Sequence, residues 1–241
     1  MRLLLIRHAE PDYENNTLTP KGFKEAEALG NAYRDFQFDE AYCSPLNRAK
    51  FTAEAFMKHH PDKGLVEKSW LTEFDALIRV PYSGEEWLSW DFLPAEFVKE
   101  EAFFSGDGYL SSSWLERESL QQRYREATEG LDAILAHNGY RRNGRLYEVT
   151  DSNTRTVLLF CHFGMMSVLM SHLLHIPYVL LAQQFECQPT GVTTIVTEER
   201  QRGIAQFRCL RYSDVSHLTA SGLKPSFAGR FCEIFDSDDL H

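Results

Sequence analysis

The sequence lacks any apolar run long enough to cross a membrane, and it lacks an excess of positive charge. Of its 241 residues, 35 are acidic and 25 are basic, so the formal net charge is -10. A membrane-spanning helix needs about 20 consecutive apolar residues. Nucleic acids and anionic membrane surfaces are bound by clustered lysine and arginine. We therefore expect neither a membrane protein nor a nucleic-acid-binding protein.

Cysteine is sparse, and its spacing forms no recognisable pair. The five cysteines lie far apart, and no Cys-x-x-Cys occurs. An odd, scattered set of cysteines is typical of reduced thiols. Met1 leads directly into Arg2 and an apolar strand, without a signal-peptide pattern. We therefore expect a cytoplasmic protein.

The apolar residues that are present predict an α/β fold. Hydrophobic residues make up 43% of the chain, enough to bury one large core. Buried strands are predicted at residues 2–6, 41–43 and 156–161, and helices follow from Pro20, from about Leu46 and from Gly164. This alternation of strands and helices along the chain is typical of parallel strands joined by crossover helices. Alternating residues from Val192 to Val196 and from Ala205 to Cys209 predict an antiparallel pair at a sheet edge.

We accordingly predict a single domain over residues 1–241. Its expected fold is a three-layer α/β/α sandwich with a mostly parallel central sheet and an antiparallel edge strand. The segment from about 77 to 113 is rich in Trp, Phe, Pro and Gly, and we predict a lid insertion made of short helices there. Its aromatic side chains either form a small core or line the wall of a site. A long helix is predicted from about Trp114 to His137.

Two histidines stand at equivalent places in this pattern. His8 follows the first apolar strand, and His162 follows the strand that ends at Cys161. Parallel strands share one carboxyl edge, where α/β proteins bind their ligands. A lone buried histidine is usually a structural polar group, but two histidines at strand ends favour a shared site.

Two arginines are expected at the same edge. Arg7 precedes His8, and Arg48 lies in the first turn of the second predicted helix. Two guanidinium groups at one place fit the oxygens of a phosphoryl group. Gly164 would allow a ligand to approach the start of the helix that follows His162.

These motifs, taken in order, resemble a known family. They are Arg7-His8-Ala9-Glu10, Leu18-Thr19-x-x-Gly22, Ser44-Pro45-Leu46-x-Arg48-Ala49-x-x-Thr52-Ala53 and Cys161-His162-Phe163-Gly164. Together they resemble the histidine phosphatase superfamily, in its phosphoglycerate-mutase-like branch. The match runs in order through most of the chain.

The resemblance implies a mechanism. His8 would attack phosphorus and become a phosphohistidine, which water then hydrolyses. Arg7, Arg48 and His162 would stabilise the charge on the transferring group, so that no metal ion or other cofactor is expected. The resemblance also implies a carboxyl group as proton donor. Glu73 is the favoured candidate, and Asp75 is its competitor.

Three further residues are expected to contact the substrate. Many members of the family have an Asn six residues after the nucleophile, whereas this chain has Glu14 there and Asn15 next to it. Phe163 stands where many relatives have Gly. Arg79 lies in the variable segment after Glu73, where it is either a substrate contact or a solvated charge.

The resemblance thus implies a metal-independent phosphatase that acts on a small phosphate ester. A phosphoglycerate-type phosphomutase and a non-catalytic phospho-ligand-binding relative are the alternatives. The basic residues between Glu73 and residue 113 are only Arg79 and Lys99, which favours a hydrolase over a mutase. A homodimer is compatible with the sequence.

Overall fold

The computed structural model of the chain describes residues 1–227 and 234–237. Within these residues the strands are β1 (Arg2–Arg7), β2 (Pro11–Asp12), β3 (Thr17–Leu18), β4 (Glu40–Cys43), β5 (Val66–Glu67), β6 (Leu77–Arg79), β7 (Glu86–Leu88), β8 (Tyr140–Asn143), β9 (Leu146–Val149), β10 (Thr156–Cys161), β11 (Val192–Gln201) and β12 (Ile204–Asp214). The α-helices are α1 (Pro20–Ala32), α2 (Asn47–Met57), α3 (Pro94–Phe97), α4 (Glu118–His137), α5 (Phe163–Leu174), α6 (Tyr178–Gln184) and α7 (Ser216–Ala220). Short 3-10 helices span Ser69–Leu71, Glu101–Phe104 and Gly106–Ser111. None of the helices in these residues is both long and apolar enough to span a bilayer.

The main sheet has eight strands in the order β5-β4-β10-β1-β11-β12-β9-β8. The first four strands are parallel, and β11 pairs antiparallel with β1. The predicted α/β class, with a parallel sheet between helical layers, is confirmed. The antiparallel side is wider than the predicted edge strand because the β8–β9 hairpin pairs with β12 and extends the sheet.

Both faces of the central strands are covered, as expected for parallel strands. In β1, Leu3 and Leu5 pack into one core cluster, which α4, α5 and α6 also join. Leu4 and Ile6 point the other way, into the cluster that α1 and α2 cover. Successive side chains of a strand point to opposite faces of the sheet, so alternate apolar residues of β1 pack against each of the two helical layers.

The segment from 77 to 113 differs in part from the prediction of short helices alone. It begins with the β6–β7 hairpin, and α3 and two 3-10 helices follow. Phe92, Phe97 and Phe103 pack on one another and are at most 3% exposed. These aromatic rings belong to the larger core cluster that contains α5, so they do not form a separate small core.

The long helix α4 begins at Glu118, four residues later than predicted. The Trp114 ring packs instead against the edges of Phe92 and Phe103. Arg117 has an extended backbone, with φ -82° and ψ 123°, and precedes the helix. Tertiary packing of one aromatic ring thus sets the start of this helix.

The carboxyl ends of three parallel strands meet at one edge of the sheet. His8 follows β1, Ser44 follows β4 and His162 follows β10. In the register of β1 and β10, Arg7 lies opposite Cys161. The residues that come next therefore emerge side by side.

A buried histidine supports this edge from the side of α7. His217 is 4% exposed, and its Nε2 lies 2.9 Å from Oγ1 of Thr190. The main-chain N–H of Thr190 donates to the carbonyl of His8 over 3.2 Å. Burial lowers the pKa of His217 to about 4, from the ordinary value of 6.5.

Substituting His217→Gln should make stability less dependent on pH. As pH falls from 7 to 5, unfolded wild-type protein takes up a proton at residue 217 and the folded protein does not. This linkage should cost the wild type about 2 kcal/mol of unfolding free energy that the variant does not lose. Urea unfolding of both proteins at the two pH values measures the difference. Equal pH dependence in the two proteins would show that His217 is not buried in its neutral form.

Candidate active site

His8 is held in one tautomer at the end of β1. Its main-chain N–H donates to the Cys161 carbonyl over 3.0 Å, which extends the strand pairing by one residue. Its ring Nδ1 lies 2.7 Å from the carbonyl oxygen of Ala9. A carbonyl oxygen can only accept, so Nδ1 carries the proton and Nε2 keeps the lone pair. Nε2 is therefore the ring atom with a lone pair available to act as a nucleophile.

Arg48 supports the same tautomer independently. Its Nε–H donates to Nε2 of His8 over 3.3 Å, and a guanidinium group can only donate. The Tyr13 ring lies over the guanidinium, with its centroid 5.3 Å from Cζ. Thr52 accepts from the Ala9 N–H and donates to the Arg48 carbonyl, and so joins the start of α2 to the chain beyond β1.

Arg7 is buried beside His8, with 3% exposure. Its Nη1 donates to the carbonyl of Cys187 and lies 3.5 Å from Oε1 of Glu186. Its Cζ is 5.6 Å from the ring centroid of Phe163. The guanidinium thus has a fixed place between the residues that follow α6 and the start of α5.

His162 lies next to His8, with the two ring centroids 5.1 Å apart. It precedes the first residue of α5 and is fully buried. Its Nε2 is 2.7 Å from Oγ of Ser44, at the end of β4. Its Nδ1 has no hydrogen-bond partner among the described residues. Both histidines predicted from the strand ends are therefore part of one cluster.

The surroundings keep both histidines neutral. Burial, followed by the positive charges of Arg7 and Arg48, lowers the pKa of His8 well below its usual range. Burial also lowers the pKa of His162, and His8 and the same two arginines add to this effect. A neutral imidazole keeps a lone pair, which a nucleophile requires. Positive charge at this edge of the sheet therefore comes from the arginines.

Glu73 brings a carboxyl group to the cluster. Its Oε1 accepts from the main-chain N–H of Phe74 over 2.8 Å and from that of Met165, in the first turn of α5, over 3.1 Å. Burial raises the pKa of Glu73, although these two N–H groups and the two arginines oppose the rise. A carboxyl group that holds its proton more tightly than usual suits a general acid. The competitor Asp75 is exposed.

Three residues hold Glu73 in place. Nη2 of Arg123, on α4, donates to the Glu73 carbonyl over 2.9 Å and to Thr72 Oγ1 over 2.6 Å. Nε1 of Trp90 donates to the carbonyl of Phe74 over 2.6 Å. Gly164 leaves the necessary space, because a Cβ there would lie 2.9 Å from Glu73 Oε1 and 2.6 Å from Trp90 Nε1.

The three expected substrate contacts have different surroundings. Asn15 is exposed, and its amide donates to Asp12 over 2.8 Å. Arg79 is exposed at the end of β6, opposite Glu86. Phe163 is buried, and its ring packs edge-on against Trp90 and beneath Arg7. These surroundings give Phe163 a packing role and place Asn15 in a surface turn.

Sequence reasoning missed the supporting residues of the site. Ser44 belongs to the motif that carries Arg48, but the pattern gives no sign that its hydroxyl contacts His162. Arg123 lies 50 residues after Glu73 on an amphipathic helix, where arginine is a common surface residue. Trp90 belongs to the aromatic run, which could be interpreted as core alone. Among the described residues, no group of three or more His, Cys, Asp or Glu side chains is placed to hold a metal ion.

The sequence profile of the histidine phosphatase superfamily, branch 1, matches residues 3–209. The chain belongs to this family. The resemblance seen in the motifs is therefore confirmed, and so is the enzyme class, a phosphoric monoester hydrolase of the histidine phosphatase type. A comparison with curated proteins gave no match.

Solved structures of phosphatases share the fold. A mutant phosphoserine phosphatase from Entamoeba histolytica, in complex with phosphoserine, is 18% identical, with a TM-score of 0.59 over 90% of this chain and 98% of that chain. Mycobacterial glucosyl-3-phosphoglycerate phosphatase is 15% identical, with a TM-score of 0.56 over 88% and 98% of the two chains. The α-ribazole phosphatase from Shigella flexneri is 18% identical, with a TM-score of 0.55 over 89% and 97%.

Substituting Gly164→Ala should displace the Glu73 carboxyl group, because the new methyl group would occupy the space between Glu73 and Trp90. We expect a loss of about 1–3 kcal/mol in unfolding free energy from overpacking. Urea unfolding measures this loss, and a crystal structure measures the distance from Glu73 Oε1 to the Met165 nitrogen. Gly64→Ala is the matched control, since a Cβ at Gly64 meets nothing within 4 Å. An undisturbed Glu73 in the Gly164 variant would contradict the packing described here.

Proposed function

We propose that this protein is a metal-independent phosphatase that hydrolyses a small phosphomonoester through a phosphohistidine on His8. One observation carries the proposal: Nε2 of a neutral His8 keeps its lone pair beside two fixed guanidinium groups. Nucleophilic capture of a phosphoryl group needs this combination of a lone pair and preorganised positive charge.

In the first step, Nε2 of His8 attacks phosphorus in line with the ester oxygen. The N–P bond forms as the P–O bond to the leaving group breaks, and Glu73 gives its proton to the leaving oxygen. In the second step, water attacks the phosphohistidine and Glu73 takes up a proton from it. The N–P bond then breaks, orthophosphate leaves, and both residues return to their starting states.

Arg7, Arg48 and His162 would bind the phosphoryl oxygens during both steps. Arg48 donates to His8 Nε2 in the structure, so this N–H would turn to a phosphoryl oxygen when the substrate arrives. The planar guanidinium groups of both arginines match the geometry of phosphoryl oxygens. They therefore supply the electrostatic stabilisation that a metal ion supplies in many other phosphoryl transfers.

The charges around the site support a hydrolase over a mutase. A mutase must hold a bisphosphorylated intermediate with additional basic groups. Lys99 is exposed and pairs with Glu96 at 2.6 Å, and Arg117 pairs with Glu86 at 2.7 Å. Both cations are thus engaged at the surface. The similar structures named above are a phosphoserine phosphatase, a glucosyl-3-phosphoglycerate phosphatase and an α-ribazole phosphatase, which supports a small organic phosphate as substrate.

Two further expectations remain proposals. The free thiols of Cys43, Cys161, Cys187 and Cys209 support a cytoplasmic location, while Cys232 lies outside the described residues. The homodimer stays a prediction from the sequence.

The wild-type protein should release orthophosphate from members of a panel of phosphomonoesters with EDTA present, and His8→Ala should release none. The physical reason is that the variant has no atom to accept the phosphoryl group. Colorimetric phosphate release measures both. Circular dichroism of His8→Ala checks that the fold is intact. Activity in the variant equal to that of the wild type would remove His8 as the nucleophile, and loss of activity in EDTA would contradict metal independence.

Substituting Glu73→Gln should slow hydrolysis of alkyl phosphates by about 10²–10⁴-fold, because an alkoxide leaving group needs a proton. A nitrophenyl phosphate should be affected far less, since nitrophenolate leaves without one. Steady-state kcat/KM for the two substrates measures the contrast. Asp75→Asn is the control and should leave both rates near those of the wild type. An equal loss for both leaving groups in the Glu73 variant would assign the proton donor elsewhere.

A further inference from the structure

We propose that Ser44 is a positioning residue that fixes the tautomer of His162, so that the Nδ1–H of His162 donates a hydrogen bond to the group that His8 attacks. The identity of that group as phosphoryl rests on the proposed function. The tautomer itself is a property of the resting protein and does not depend on turnover.

The Ser44 hydroxyl has two neighbours among the described residues. The main-chain N–H of Leu46 donates to Oγ over 3.2 Å, and Nε2 of His162 lies 2.7 Å away. The first contact fixes Oγ as an acceptor from Leu46. In the second contact, Ser44 either donates its own proton to His162 or accepts the Nε2 proton of a different tautomer.

The two arrangements differ in how many buried polar groups are left without a hydrogen-bond partner. Ser44 and His162 are both fully buried, so each unpaired polar group is costly. If Ser44 accepted from both neighbours, its hydroxyl proton would have no acceptor and the lone pair on His162 Nδ1 would have no donor. If Ser44 donates to Nε2, only the Nδ1–H of His162 is left unpaired. The second arrangement therefore leaves one unsatisfied group in place of two.

The remaining unpaired group is the one that an anion satisfies. In this tautomer His162 presents an N–H within a cluster that also holds the buried Arg7 and the half-buried Arg48. A phosphoryl oxygen is an acceptor and would complete the hydrogen bonding of the site. The alternative tautomer would direct a lone pair at that oxygen and repel it.

The two neighbouring histidines thus share one tautomer, with the proton on Nδ1, but each uses a different nitrogen for its fixed contact. The Ala9 carbonyl fixes the proton of His8 on Nδ1 and leaves a lone pair on Nε2, whereas the Ser44 hydroxyl leaves His162 with a donor at Nδ1. A neutral imidazole can adopt either tautomer, and its partner decides which one forms. Burial keeps His162 neutral, so the Ser44 contact determines its role.

The direct test is ¹⁵N NMR of the histidine rings in the intact resting protein, where a protonated and an unprotonated ring nitrogen have well-separated chemical shifts. His162 should show a protonated Nδ1 and an unprotonated Nε2, and its assignment follows from the signals lost in His162→Gln. A protonated Nε2 in the wild type would overturn the proposal.

The second test combines Ser44→Ala with the conservative Ser44→Thr. Loss of the hydroxyl should shift His162 toward the other tautomer and weaken binding of orthovanadate, a phosphate analogue, by about 10-fold through loss of one hydrogen bond to an anion. The threonine variant keeps the hydroxyl and should restore both the tautomer and most of the affinity. Asn47→Ala is the control, because it removes another side-chain hydrogen bond of the same turn, 3.2 Å to the Asn16 carbonyl.

Each result has a definite meaning. An unchanged His162 tautomer and unchanged vanadate affinity in Ser44→Ala would overturn the role of Ser44. If Ser44→Ala does not fold, the wild-type spectrum and the threonine variant still decide. The proposed function has its own test: it fails if no ester is hydrolysed and His8→Ala behaves as the wild type. The tautomer of His162 measured by NMR does not depend on that result.

Discussion

The parallel pairing of β1 with β10 determines where His8 and His162 lie. Arg7 lies opposite Cys161 in this register, and the N–H of His8 extends the pairing to the Cys161 carbonyl. A slip of one residue would turn each following side chain to the opposite face of the sheet. The apolar residues that β1 and β10 bury on both faces prevent such a slip. The core of the protein thus sets the 5.1 Å separation of His8 and His162.

Burial and two fixed charges then set the protonation state of each group. The same low-polarity surroundings that keep the histidines neutral also raise the pKa of Glu73. The guanidinium groups of Arg7 and Arg48 supply the positive charge of the cluster. A protein with a net charge of -10 thereby maintains a small positive region around two neutral imidazoles.

Local motifs allowed the fold class, the histidine pair and both arginines to be predicted, because strand ends and helix starts have direct sequence signals. Glu73 was predicted from the family resemblance alone. The width of the antiparallel side and the start of α4 depend on distant contacts, such as the packing of Trp114 against Phe92 and Phe103, which no local pattern encodes. The same limit applies within the site. Arg123 reaches Glu73 from a helix 50 residues away, and the Ser44 contact with His162 joins two strand ends 118 residues apart. Hydrogen bonds of this kind depend on tertiary placement alone.

The segment from 77 to 113 is attached to the catalytic edge at two points. Trp90 donates to the carbonyl next to Glu73, and the main chain of Phe92 exchanges two hydrogen bonds with the Gln183 side chain, on the helix that leads to the Arg7 contacts. An outward displacement of this segment would break the bond from Trp90 and remove one support of the carboxyl group. The position of this segment and the placement of the Glu73 carboxyl group are therefore mechanically coupled through the Trp90 hydrogen bond.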